Sequence, residues 1–289
     1  MERQFTASME NQALNLQQLP SPCRSSATVL AITSGKGGVG KTNIAANLAI
    51  CLANQDRRVL LLDADLSLGN LDLVMNLRSK YNISHVISGR KRMEEIIQAG
   101  PKGLQVICGA SGLDRLADIT ESEQDRLLEH LSQLQHQSDT ILIDTAAGIS
   151  SSVIGFCLAA DHVLVVTTPE AAAMADAYGV IKVLVRKRYA RPISLVVNMA
   201  RNLAEGKQIY QRMAEVARKF LQTNLYYAGT LLKDDRLCMA VRARKPVVLA
   251  YPKSQISSSF ATLAARVGGA RQRDGLEGNF FRRVMRWWN

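Results

Sequence analysis

The stretch Val29-Leu30-Ala31-Ile32-Thr33-Ser34-Gly35-Lys36-Gly37-Gly38-Val39-Gly40-Lys41-Thr42 decides the fold. An apolar, β-branched run of buried-strand length stops at a glycine-rich turn. Asn43 to Asn54 then follows with helical periodicity, turning Ile44, Leu48, Cys51 and Leu52 inward. The spacing Gly35-x4-Gly40-Lys41-Thr42 satisfies the phosphate-loop pattern G-x-x-x-x-G-K-[ST]. Backbone N–H groups close around a polyphosphate only where side chains are absent, and the helix behind them aims its positive dipole end at the anion. Gly35, Lys36, Gly37, Gly38, Val39, Gly40, Lys41, Thr42 and Asn43 are therefore the expected nucleotide contacts. Lys41 is placed to reach the β- and γ-phosphates and the Thr42 hydroxyl to ligate Mg²⁺. The plain alternative is a strand-to-helix turn that holds nothing.

Outward from the loop, strands and helices alternate. Strands are expected at Thr28–Thr33, Arg58–Asp63, Leu104–Cys108, Thr140–Asp144, His162–Thr167, Ile193–Asn198 and Tyr226–Leu231. Helices are expected at Glu121–Gln135, about Ala171–Lys187 and Gln208–Gln222. Continuous apolar strands separated by helices imply a mainly parallel sheet covered on both faces, an α/β fold in one domain over about 28–267. Motifs from Gly35 to Asn198 then fall at strand C-terminal ends, where open α/β sheets bind ligands.

At 289 residues and 47% hydrophobic, the chain can bury a sizeable core. Its five cysteines are odd in number and form no C-x-x-C pair, which argues for a reducing compartment and against a disulfide or zinc framework. Neither a signal-like apolar leader nor a stretch approaching ~20 apolar residues occurs, so a cytoplasmic location is expected. The net charge of +11 is uneven: Lys182 to Lys253 holds 16 basic against 4 acidic residues, and the tail from Arg266 holds 6 against 2. Such asymmetry fits a polyanionic partner, nucleic acid or an anionic membrane, or simply solvated helix faces.

Two expected strands end in carboxylates. Asp144, after Ile141-Leu142-Ile143, fits the Walker B position that holds Mg²⁺. Asp63 and Asp65, in Asp63-Ala64-Asp65 followed by Asn70-Leu71-Asp72, form a second acidic edge suited to metal and water. Lys36, a second lysine directly before the glycine pair, resembles the deviant Walker A signature of the MinD/ParA class of dimerising ATPases. The segments Asp63–Asp72 and Asp144-Thr145-Ala146-Ala147-Gly148 are similar to the switch I and switch II of its MinD side. The resemblance spans 28 to about 265. It implies ATP and Mg²⁺ as cofactors, slow ATP hydrolysis stimulated by a partner, and an ATP-dependent homodimer. Within it Lys36 would reach the partner's phosphates, Asp65 would handle the attacking water, and Asn198 would recognise adenine.

The two ends carry further signs. Around a helix Phe280, Phe281, Val284, Met285, Trp287 and Trp288 fall on one side, with Arg282, Arg283 and Arg286 opposite. Beyond a glycine-containing linker at 268–279, this is the pattern of an interfacial membrane helix over 280–289. The alternative is a terminal helix docked on the protein's own core. The leader, 1–27, is read as a flexible extension with a short helix near Met9–Leu19. Its Asn11-Gln12-Ala13-Leu14-Asn15-Leu16-Gln17 is similar to the motif preceding the core in the flagellar-number regulators of the FlhG/FleN group. Gln12, Ala13 and Leu16 match, while Asn11 and Gln17 replace the charged residues of that motif. The resemblance implies an SRP-type GTPase such as FlhF, or a transcription regulator of flagellar genes, as partner. The competing readings are a ParA-like partition ATPase binding DNA non-specifically, a MinD-type regulator of the division site, and a non-enzymatic scaffold gated by ATP.

Overall fold

Apolar runs with no polar alternation form strands only when both faces of the sheet are covered, and that condition is met here. The computed structural model describes residues 27–65, 69–109, 121–268 and 280–288. Its strands are β1 (Thr28–Ser34), β2 (Val59–Ala64), β3 (Gln98–Ala99), β4 (Gln105–Ile107), β5 (Thr140–Ala147), β6 (His162–Thr167), β7 (Ile193–Ala200) and β8 (Leu225–Leu232). They form one sheet in the order β3-β4-β2-β5-β1-β6-β7-β8, parallel except for the two-residue edge strand β3. The helices are α1 (Lys41–Ala53), α2 (Leu71–Met75), α3 (Ile83–Ile87), α4 (Met93–Ile96), α5 (Glu121–Gln137), α6 (Ser151–Ala159), α7 (Ala171–Arg186), α8 (Leu203–Leu221), α9 (Asp235–Arg242), α10 (Val247–Ala250), α11 (Gln255–Gly268) and α12 (Phe280–Trp288).

Alternation along the central strand splits the core in two. Leu30 and Ile32 join Leu48 and Leu52 of α1 and Phe260 and Leu263 of α11 on one face. Val29 and Ala31 turn to the other, with Phe156 of α6, Val180 and Leu184 of α7, and Ile209 and Met213 of α8. Each such fully buried aliphatic or aromatic side chain contributes about 1.5–3 kcal/mol, so two covered faces leave little freedom in the register of β1. Its C-terminal end, and the loop after it, therefore sit on a strand buried from Val29 to Ser34.

Among the departures from expectation, two have plain local causes. α8 begins five residues earlier than its expected start at Gln208, because Asn202 caps it: the Asn202 side chain accepts from Glu205 N at 2.9 Å, and Glu205 in turn engages Arg201. α6, which Ser150 caps, lacks an amphipathic pattern because it is buried on most sides. The leader helix expected over 9–19, with Gln12, Ala13 and Leu16, lies outside the described residues.

The C-terminal helix is docked. Phe280, Phe281 and Val284 are buried against α5 and α6. Phe280 N donates to Gln135 Oε1 at 3.0 Å, and the Arg283 guanidinium donates to Ala159 O at 2.9 Å and to Asp161 at 3.1 Å. In this arrangement the three apolar residues expected to meet lipid face the protein instead, and Arg283, expected on the free polar side, helps to hold the helix. The side chains of Met285, Trp287 and Trp288 lie outside the described set.

Candidate functional site

β1 delivers its last residues to the edge of the sheet, and the loop that follows is pinned from three sides. Ser34 Oγ donates to Lys36 O at 2.7 Å. Gly148 N, at the end of the switch-II-like segment, donates to Ser34 O at 2.8 Å. Asn198, at the end of β7, donates from Nδ2 to Val39 O at 2.8 Å. Two glycines here have physical reasons. Gly35 lies so close to the backbone of Asp176 in α7 that a β-carbon would collide with it. Gly40 has φ +93° and a β-carbon there would stand 2.5 Å from Asn198 Nδ2. Gly40 is also the N-cap of α1, with no side chain capping the helix and no acid in its first turn. The first N–H groups of α1 are thus left for an anion.

Lys41 opens that helix and is buried. Burial lowers its pKa, while the charges of Asp144 and Asp65 hold it up. Register pairs Asp63 with Asp144 on adjacent strands, so the two carboxylates stand side by side, with Asp144 next to the lysine. Asp144 is pushed up to about 7, first by burial and then by the nearby charge of Asp63, against a hydrogen bond from Thr42. Its Oδ1 is buried with no hydrogen-bond partner among the described residues. An orphaned carboxylate oxygen beside a threonine hydroxyl is an all-oxygen donor set, and it fits Mg²⁺, which takes few protein ligands and shares the rest with phosphate and water. No cluster of three or more His, Cys, Asp or Glu suited to a metal occurs among the described residues, so the protein alone offers no closed cage.

Asp63 has a different first task from the metal ligation expected of it. Its Oδ1 accepts from Asp65 N at 3.1 Å and its Oδ2 from Leu71 N at 3.4 Å, which ties the residue after β2 to the start of α2. A β-carbon on Gly69 would press on the same carboxylate, so the close approach there needs a glycine. Burial nevertheless pushes Asp63 up to about 6. Asp65 stands close enough to act on the Lys41 charge. Lys36, unlike Lys41, points outward: its side chain is 38% exposed and Nζ meets Glu170 Oε1 at 2.5 Å, just before α7. An exposed pair of this kind is worth at most about 1 kcal/mol, so Lys36 is cheaply re-aimed.

With phosphate loop, buried lysine and Thr42–Asp144 pair assembled on one sheet edge, comparison with known proteins becomes decisive. The profile of the ParA family, described as "NUBPL iron-transfer P-loop NTPase", matches residues 25–268. The chain belongs to the ParA/MinD family of P-loop NTPases. Among its relatives, the antiactivator FleN of Pseudomonas aeruginosa is 37% identical over 83% of this chain and 85% of its own. The flagellum site-determining protein YlxH of Helicobacter pylori is 33% identical over 96% and 99% respectively. Both are consistent with the FlhG/FleN group within the family. In structure the chain resembles the MinC:MinD cell division complex of Aquifex aeolicus, with TM-score 0.66 and 27% identity over 88% of this chain and all of that one. The fold also matches MinD of Pyrococcus horikoshii complexed with Mg-ADP, with TM-score 0.68 and 24% identity over 84% and 96%.

Within the ParA/MinD frame, sequence reasoning had located the loop and the carboxylates but missed what surrounds them. The contact from Gly148 to the loop and the Lys36–Glu170 pair join residues over a hundred positions apart. Asn198 was expected at the base; its amide holds the loop, leaving Oδ1 and one N–H for any such role.

Proposed function

We propose that this chain is a MinD-like regulatory ATPase that dimerises on ATP, cycles on the cytoplasmic membrane and sets flagellar number or placement. The observation that carries the reading is the pair of lysines in one loop. Lys41 is buried at the phosphate site, whereas Lys36 is exposed and turned away from it. A lysine in that position has no task within its own loop; a second copy facing the first would give it one, as a cation stabilising transferring charge in trans. Asp65 would orient the attacking water, and Thr42 with Asp144 would hold the magnesium side of MgATP. The ion, when bound, neutralises charge on the β- and γ-phosphates.

The flagellar branch rests on similarity to FleN and YlxH, whose names carry an antiactivator and a flagellum site-determining protein. By analogy the partner is a regulator of flagellar genes or an SRP-type GTPase engaged by the leader residues Gln12, Ala13 and Leu16. Membrane cycling requires α12 to leave its seat on α5 and α6 before Phe280, Phe281 and Val284 can enter lipid. Two released helices on one dimer would gain avidity on the order of 10²-fold over one. No helix among the described residues is long and apolar enough to span a membrane, so attachment would be peripheral.

The experiment is liposome co-sedimentation of full-length protein and of protein lacking 280–289, with ATP and with ADP. The reading expects pelleting only with ATP and only with the tail present. Pelleting indifferent to nucleotide or to the deletion would overturn it. A partition-like role is favoured by one observation, the exposed Arg236, Arg242, Arg244 and Lys245 on and after α9. Salt-sensitive DNA binding that survives removal of the tail would support that role instead.

A further inference from the structure

In a parallel sheet every turn from a helix into the next strand falls at one edge, where the strands begin. The phosphate loop and the carboxylates occupy the opposite edge. Along this entry edge, two acids are engaged within the fold. Asp139 pairs with Arg58. Asp161 accepts from Val29 N at 3.0 Å and binds both Arg191 and Arg283. Bases dominate what the edge shows to solvent. Arg186, Lys187 and Arg188 are exposed where α7 turns into β7. Arg218 and Lys219 are exposed in the last turn of α8, which packs beside α7. In the same turn Phe220 is 64% exposed, with Lys219 Nζ 5.4 Å from its ring centre.

Arg188 shows that charge matters at this place. It follows the C-cap of α7 at φ +60°, its N–H donating to Val185 O at 2.9 Å. That left-handed slot at a helix end favours glycine or asparagine. Backbone ease gives no reason for an arginine there; the position gains a cation at the tip of the turn.

The patch also adjoins the C-terminal helix. α12 lies across α5 and α6, and α6 packs against α7. Arg191, in the α7–β7 turn, shares Asp161 with Arg283 of α12. If α12 leaves, Asp161 still holds Arg191, so the basic turn keeps its place.

Resting on the membrane reading above, we infer that the entry edge beside α12, from Arg186 to Arg188 and from Arg218 to Phe220, is a second membrane contact that requires anionic lipid. The bases meet headgroup phosphates, and Phe220 enters the boundary between headgroups and acyl chains. One short amphipathic anchor binds marginally, and a basic patch beside it supplies the second signal that stable attachment needs. An exposed phenyl ring among the bases fits a bilayer interface better than duplex DNA, which would use the charges alone.

Vesicle binding of the full chain with MgATP tests this, using neutral phosphatidylcholine and the same lipid mixed with phosphatidylglycerol. The wild type should prefer the anionic vesicles. The preference should fade between about 0.1 M and about 1 M salt, as the Debye length shrinks from ~10 to ~3 Å. Combining Arg186→Gln, Arg188→Asn and Lys219→Gln should weaken binding to anionic vesicles about 10- to 100-fold and leave binding to neutral ones unchanged. Asparagine suits the left-handed slot, so the melting temperature should hold or rise. Phe220→Ser should weaken anionic binding severalfold and keep its salt dependence. Wild-type affinity in the triple variant overturns the inference, as does an equal loss on both vesicles. A triple variant that loses duplex DNA binding but keeps its vesicles would assign the patch to nucleic acid and also overturns it. A wild type that binds both vesicles equally overturns the inference and leaves the membrane reading standing. A wild type that binds neither brings down the membrane reading, and this inference with it.

Discussion

Lys41 and Lys36 sit five positions apart in one loop and face opposite demands. Lys41 is buried among carboxylates, so replacing it removes a desolvated cation that a polyphosphate would need. Lys41→Ala should lose at least about 100-fold in MgATP affinity, roughly 3 kcal/mol, by calorimetry; equal affinity would refute the loop assignment. Asp65→Ala should keep ATP affinity within a few fold while turnover falls by about 10²–10⁴, the usual contribution of a positioned acid or base. Normal phosphate release in that variant would mean another group handles the water. The motif residues were legible from sequence because the chemistry fixes both residue type and spacing. Gly148 and Glu170 were not, since their contacts arise only where β5 ends and α7 begins beside the loop.

At the scale of elements, β6 offers a stability test independent of the site. His162 opens that strand, is buried, and shares a 2.8 Å hydrogen bond with Ser194 of β7. Burial lowers its pKa from 6.5 to about 4. Between those values the unfolded chain binds a proton that the folded chain refuses, so stability falls as pH drops from about 6.5 to about 4. The loss should approach about 3 kcal/mol near pH 4. Urea titrations across that range should show the slope, and His162→Asn should flatten it; an identical slope in the variant would assign the acid sensitivity elsewhere. The strands themselves were readable because a central parallel strand must be apolar on both faces, as in Leu60-Leu61-Leu62. α6 escaped notice for the same reason inverted: a helix buried nearly all round has no stripe. The start of α8 was hidden in its cap, Asn202 with Glu205, which periodicity alone does not weigh.

For the whole molecule, the proposed function makes the C-terminal helix and the loop two halves of one switch. The tail read as amphipathic from sequence because its apolar and arginine faces separate cleanly, and that pattern serves a protein groove as well as a bilayer. Sequence could not choose between them; the seat on α5 and α6 is built by Gln135, Ala159 and Asp161, far away in the chain. Loosening the seat is then a prediction in itself. Asp161→Asn removes the carboxylate that Arg283 and Arg191 share, and should raise liposome binding in ADP severalfold. No increase would mean that the Asp161 carboxylate is not what holds the helix in its seat.

The most direct measurement is the molar mass of the Asp65→Ala protein by light scattering, with MgATP and with MgADP. The chain weighs 31.7 kDa. A loop whose exposed lysine serves a second copy predicts about twice that mass with MgATP, the monomer with MgADP, and a return to the monomer when Lys36→Ala is added. A single 31.7 kDa species under every condition would contradict the account.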